Sequence, residues 1–139
     1  MRRYTYETDT AVPAEKLFRA KTDIRRWPEW DDDLESISFD ESLAAGARFA
    51  LRPKGGPTVP MLIETLEAPR RFVDLAFLPL AKMRTASEFA PTAGGTHVRV
   101  SIEIFGPLAL LWDLLVARKL AADCAQQTKR FIAFAEQRS

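Results

Sequence analysis

Apolar residues recur at helical spacing through the last third of the chain. Leu110, Leu114, Ala117, Ala121, Cys124, Thr128, Phe131 and Ala135 fall on one side of a helix, with Arg118, Lys119, Asp123, Gln126, Gln127, Lys129, Arg130 and Gln137 opposite. Gly106-Pro107 opens this helix. Its core-facing stripe is bulky at both ends and small in the middle. That shape fits either close packing, with large side chains from facing strands filling the gap, or space beneath Ala117, Ala121 and Cys124.

Upstream the period changes. Tyr4 to Ala11 alternates and is rich in Thr and Tyr, as a strand requires, and Val12-Pro13-Ala14-Glu15 then starts a helix with proline in its first turn. Leu17, Phe18 and Ala20 give that helix a buried side; Thr22-Asp23 caps a second short helix, which Pro28 is expected to stop. From there the pattern predicts strands over Leu34–Asp40, Ala47–Lys54, Val59–Glu67, Arg71–Phe77, Lys82–Ala90 and Thr96–Phe105, separated by turn residues such as Gly55-Gly56-Pro57 and Gly94-Gly95. Strands joined by short turns imply an antiparallel meander whose apolar face the terminal helix covers, an α+β fold.

Alternation sorts the side chains. Val98, Val100, Ile102 and Ile104 share the inner face with Met83, Thr85, Ser87 and Phe89, while His97, Arg99, Glu103, Lys82, Arg84 and Glu88 point out. The same pattern places Phe49 and Leu51, then Val73, Leu75 and Phe77, inward and Asp74 outward. Around Met61 the register is ambiguous, because Leu62 and Leu66 compete for the same side and Pro60 hints at an edge or bulge; Met61, Ile63 and Thr65 are assigned inward. So sorted, the inner face offers hydroxyls but no titratable group, which favours binding over acid–base chemistry. A one-residue bulge would invert a strand and bring Glu64, Asp74 or Arg84 inside.

Composition narrows the function classes. A length of 139 residues fits one domain spanning the chain, and Lys+Arg 20 against Asp+Glu 19 supplies no field that would draw the protein to nucleic acid. No segment approaches the ~18 apolar residues of a membrane span, so stable membrane insertion is not expected and a cytoplasmic location is. The single Cys124 excludes an internal disulfide and reads as a small core residue. No metal or cofactor is expected: Asp31-Asp32-Asp33 lacks EF-hand spacing, the Gly-Gly pairs lack the Lys-Ser/Thr of a phosphate loop, and His97 reads as a solvated side chain. Pro28 is expected to make Trp27 and Trp30 diverge, one plugging the core and one lining an entrance, or both close the end of the sheet as core aromatics. Trp112, near the polar side of the terminal helix, either packs on the N-terminal elements or marks a dimer contact.

Several motifs resemble one superfamily. They are Val12-Pro13-Ala14-Glu15-Lys16-Leu17-Phe18, Asp23-Ile24-Arg25-Arg26-Trp27-Pro28-Glu29-Trp30, Glu67-Ala68-Pro69-Arg70-Arg71-Phe72, Gly95-Thr96-His97-Val98 and Phe105-Gly106-Pro107-Leu108. Together they resemble the START-like, helix-grip proteins grouped as SRPBCC, in particular the polyketide cyclase/dehydrase-like members. The resemblance implies a curved antiparallel sheet of about seven strands around a long C-terminal helix, with two short helices after the first strand and a deep apolar cavity between sheet and helix. It also implies a small hydrophobic molecule as partner, lipid-, sterol- or polyketide-like. Candidate lining residues are Phe18, Trp27, Trp30, Phe49, Leu51, Met61, Leu75, Phe77, Met83, Thr85, Ser87, Ile102, Ala117, Ala121 and Cys124, with Thr85 and Ser87 orienting a polar group. A lyase- or cyclase-type enzyme using Glu64, Asp74 or Arg84 is the second reading, and a homodimer or protein-interaction module using Trp112 the third.

Overall fold

The computed structural model describes residues 2–138. Strand β1 (Arg2–Thr10) leads into helix α1 (Ala14–Thr22) and a 3₁₀ helix (Ile24–Glu29). Strands β2 (Leu34–Ser38), β3 (Arg48–Pro53), β4 (Val59–Glu67), β5 (Arg71–Leu78), β6 (Ala81–Thr92) and β7 (Gly95–Phe105) follow. The seven strands form one antiparallel sheet in the order β1-β7-β6-β5-β4-β3-β2, so the last strand returns beside the first. Pro28 lies inside the 3₁₀ helix, where sequence placed it as a stop; the tighter turn leaves few amide bonds for proline to break. Trp27 and Trp30 therefore stay together, both buried, with ring centroids 6.2 Å apart.

The C-terminal helix consists of α2 (Ala109–Trp112), a π turn (Asp113–Ala117) and α3 (Arg118–Gln137), running on without a break. The wide π turn rotates the first turns relative to a regular helix. Asp113, not Leu114, faces inward and is fully buried, accepting a 2.6 Å hydrogen bond from the Tyr4 hydroxyl on β1. Leu110 and Leu114, predicted on the inner stripe, are exposed. The inner stripe otherwise runs through Ala117, Cys124, Thr128, Phe131 and Ala135, all buried.

Two strand registers decide what faces the helix. Between Ile63 and Thr65 the β4–β5 pairing slips at Glu64, so Met61 and Ile63 share the inner face while Leu66 rejoins it after the bulge, opposite Phe72. Thr65 is thereby turned to the outer face, opposite Val73, correcting its inward assignment. In β5 the predicted phase is reversed: Phe72, Asp74 and Ala76 pair with the inner-face Ser87, Thr85 and Met83 of β6. Val73 and Leu75 lie on the outer side and are still buried, and the Phe77 ring lies 5.9 Å from the Arg48 guanidinium. The strand is apolar on both faces, so hydrophobicity could not choose between them.

Candidate functional site

The curvature of the sheet leaves a cavity of about 910 Å³ between it and the C-terminal helix. Its walls are built by inner-face residues of β4 to β7, by the two tryptophans and by Trp112, Val116, Leu120, Cys124, Thr128 and Phe131 of the helix. Of the candidates named from sequence, Trp27, Trp30, Leu51, Met61, Phe77, Met83, Thr85, Ser87, Ile102 and Cys124 border the cavity. Phe18, Phe49, Leu75, Ala117 and Ala121 do not. Phe49 packs edge-on against Trp27 (5.5 Å) behind the wall, and Leu75 is on the outer phase of β5. Ala117 is fully buried where the π turn meets β7, so its small side chain serves close helix–sheet packing instead of leaving space. The first turns of the helix thus face the cavity through Leu115-Val116 and Leu120, one step round from the predicted stripe, which rejoins the wall at Cys124, Thr128 and Phe131.

Besides Asp31, Asp33 and Lys54, two charged groups interrupt the apolar wall. Asp74 projects inward from β5 beside Thr85. Lys21, in the last turn of α1, reaches the same space with its ammonium 4.8 Å from the Trp27 ring centroid, 5.1 Å from Trp30, 5.6 Å from Phe131 and 6.0 Å from Phe72. Burial pushes the Asp74 carboxyl up to about 6, against the opposing pull of Lys21. Burial likewise lowers the Lys21 amine, which Asp74 and Asp31 partly offset. The coupling between them acts through space, without a direct hydrogen bond. A carboxyl that ionises near neutrality and an amine boxed by four rings therefore face the same volume, where a ligand's polar group would meet both.

Sequence reasoning missed Lys21. The signal was present: it follows Leu17 by four residues and Phe18 by three, on the buried side of α1. Glu64 and Arg84, also considered for an inner role, pair with each other on the outer face at 2.6 and 3.1 Å. Two carboxylates of the acidic run border the cavity mouth: Gln127 donates to Asp31 at 3.0 Å, and burial raises the Asp31 carboxyl. Asp32 instead pairs with Arg130 at 2.9 Å. No cluster that could hold a metal ion occurs among the described residues. His97 lies outside the site, between Asp9 (2.7 Å) and Glu7 (2.9 Å), whose hydrogen bonds, Glu7's first, raise its pKa. Burial raises the Cys124 thiol, which keeps it protonated. The Trp27 indole donates to the Lys21 carbonyl at 2.9 Å, whereas the Trp30 indole N–H is buried without a partner among the described residues.

A family model described as polyketide cyclase / dehydrase and lipid transport matches residues 1–136. Among solved structures, a Mesorhizobium loti protein, MLL2253, is 23% identical with a TM-score of 0.69, covering 98% of this chain and 95% of its own. The structure of Ara h 8.0201 is 16% identical with a TM-score of 0.77 over 99% of both chains. The di-domain ARO/CYC StfQ of the steffimycin biosynthetic pathway is 17% identical with a TM-score of 0.77, over 97% of this chain and 50% of its own. At these identities the structures share the fold. No functionally curated protein matches the sequence.

Proposed function

The chain belongs to the polyketide cyclase/dehydrase and lipid transport family of the helix-grip superfamily, and from that premise we propose that it binds a small, largely apolar molecule between the sheet and the C-terminal helix. The observation that carries this reading is the cavity itself: about 910 Å³, walled by Trp, Phe, Met, Leu, Val and Ile side chains. That volume lies at the upper end of small-molecule sites. The polar positions define the ligand further. Lys21 donates, Asp74 accepts or donates according to pH, and the Thr85 and Ser87 hydroxyls stand on the same wall, so the ligand carries at least one oxygen function on an otherwise hydrophobic frame. Native mass spectrometry of freshly purified protein, with extraction of bound material, tests this reading, together with melting curves across a set of apolar compounds. A protein that carries nothing and shows no shift with any compound overturns it.

A second reading has one observation in its favour. Asp74, set aside by the predicted register, stands inside the cavity with its carboxyl near pH 6, which suits a proton carrier of a lyase- or cyclase-type reaction. The di-domain ARO/CYC StfQ offers a parallel on the same fold. Asp74→Asn separates the two readings: for an enzyme it abolishes turnover while ligand still binds, whereas for a carrier it alters affinity alone.

A further inference from the structure

The first turns of the C-terminal helix present an apolar surface to the outside of the molecule. Leu110, Leu111, Leu114 and Leu115 are each 46–66% exposed, and Leu80, at the tip of the β5–β6 hairpin, is 67% exposed. They form one corner. The Leu108 amide donates to the Leu80 carbonyl at 3.0 Å and the Trp112 indole to the Pro79 carbonyl at 2.8 Å. Gly106, at φ +113°, lets the backbones touch: a Cβ there would lie 2.9 Å from the Ala81 Cα. The π turn contributes by sending Asp113 inward while the leucines on either side stay out. At Leu80 the backbone is left-handed (φ 56°), a conformation glycine or asparagine adopts at lower cost than leucine. Contiguous exposed apolar surface of this kind marks an interaction site.

Charge identifies the occupant. Arg2 and Arg118 reach Asp113 in the midst of the leucine segment, exposed Lys119 follows Arg118 in the next turn, and exposed Lys82 follows the Leu80 turn by two residues. Asp113, the carboxylate among them, is buried, 3.8 Å from Arg2 and 3.7 Å from Arg118. The chain as a whole carries only +1, so this corner is selectively basic. The acidic turn Asp31–Asp33 lies further along the helix, tied to Gln127 and Arg130; Gln127 follows Leu115 by twelve residues, or about 18 Å. A symmetric contact between two copies would set these cations against themselves. An anionic lipid surface accepts leucines and cations together.

We propose that this corner docks the protein on an anionic membrane surface, with the leucines at the headgroup–acyl boundary and the cations on phosphate groups. Trp112, Leu115 and Pro79 border both the corner and the cavity, so docking would set this edge of the cavity, and not the edge lined by Asp31 and Asp33, against the bilayer. The contact is peripheral: among the described residues no helix is long and apolar enough to cross a membrane. Docking does not depend on the ligand reading, because it is measured on protein without added ligand.

Flotation of the full chain with phosphatidylcholine vesicles, with and without phosphatidylserine, tests it. The expected result is binding to the phosphatidylserine vesicles that weakens in high salt and falls at least about tenfold in Leu110→Ser/Leu111→Ser/Leu114→Ser. Lys119→Glu, at an exposed position, weakens it roughly tenfold. Melting curves accompany each variant, and single Leu110→Ser replaces the triple variant if the latter unfolds. Wild-type protein that floats with neither vesicle overturns the proposal, as does flotation indifferent to the serine substitutions. So does a dimer in sedimentation that the same substitutions dissociate without vesicle binding, which would assign the corner to a second copy.

Discussion

The two faces of strands β4 to β6 treat charge in opposite ways. On the outer face Arg84 and Glu64 form a two-pronged ion pair, and Glu103 approaches Arg84 at 4.0 Å. On the inner face Asp74 and Lys21 influence each other only through space, in surroundings that penalise both charges. A fold optimised for stability alone would pair the buried groups or replace them with apolar ones, since an unpaired buried charge costs several kcal/mol while a surface pair gains little, about 0–1 kcal/mol. On the proposed binding function, the inner pair is half of an interaction that a ligand completes.

The largest expected effect comes from removing the box that holds Lys21. The Trp27 ring touches Lys21, Trp30, Phe49 and Phe72. Trp27→Ala is expected to cost about 3–5 kcal/mol, the usual loss for a buried aromatic, read as a lower midpoint in urea unfolding. A loss below about 1 kcal/mol would mean that the box is not part of the packed core.

Asp74→Asn has the opposite sign. The folded-state carboxyl is raised from 3.8 to about 6, so the folded protein holds this proton more tightly than the unfolded chain. The corresponding stability is fully present below about pH 4 and is lost as pH rises through about 6. Asparagine imitates the protonated form at every pH. The variant should match wild type near pH 4 and exceed it by up to about 3 kcal/mol at pH 8, less whatever Lys21 loses with its partner. Melting curves at the two pH values check this, and equal stability at both would place Asp74 in contact with solvent.

This sign could not be read from the sequence, and the reason is specific. Arg71–Leu78 offers Phe72, Ala76 and Leu78 on one phase and Val73, Leu75 and Phe77 on the other, so apolar content does not choose between them. The choice is made by neighbouring strands, through the pairing of Asp74 with Thr85 and the slip at Glu64, which are long-range facts. Strands β6 and β7, where one phase is plainly apolar and the other charged, were legible residue by residue. The long helix was legible in extent but not in rotation, because a π turn buries an aspartate and exposes leucines against every hydrophobic rule. Lys21 was legible in principle, since spacing alone set it on the buried side of α1. What hid it was the habit of reading lysine as solvent-facing.

Lys21→Met sharpens the comparison from the other partner. Lys21 is the group that draws the Asp74 carboxyl down against burial, so its removal should move the Asp74 titration above about 6, as followed by carboxyl-carbon NMR. An unmoved midpoint would separate the two groups and leave Asp74 governed by burial alone.

The outer pair should respond least. Glu64 and Arg84 are each about one-third exposed, and their attraction is screened by solvent and salt. Glu64→Gln is expected to change stability by no more than about 1 kcal/mol, with the loss shrinking further in high salt. It should also leave the pH profile assigned to Asp74 nearly in place, because Glu64 raises the Asp74 carboxyl less than burial does. Should Glu64→Gln reproduce the alkaline stabilisation of Asp74→Asn, the two faces would be electrically one site, and Asp74 would owe its shift to a carboxylate on the far side of the sheet instead of to the cavity it faces.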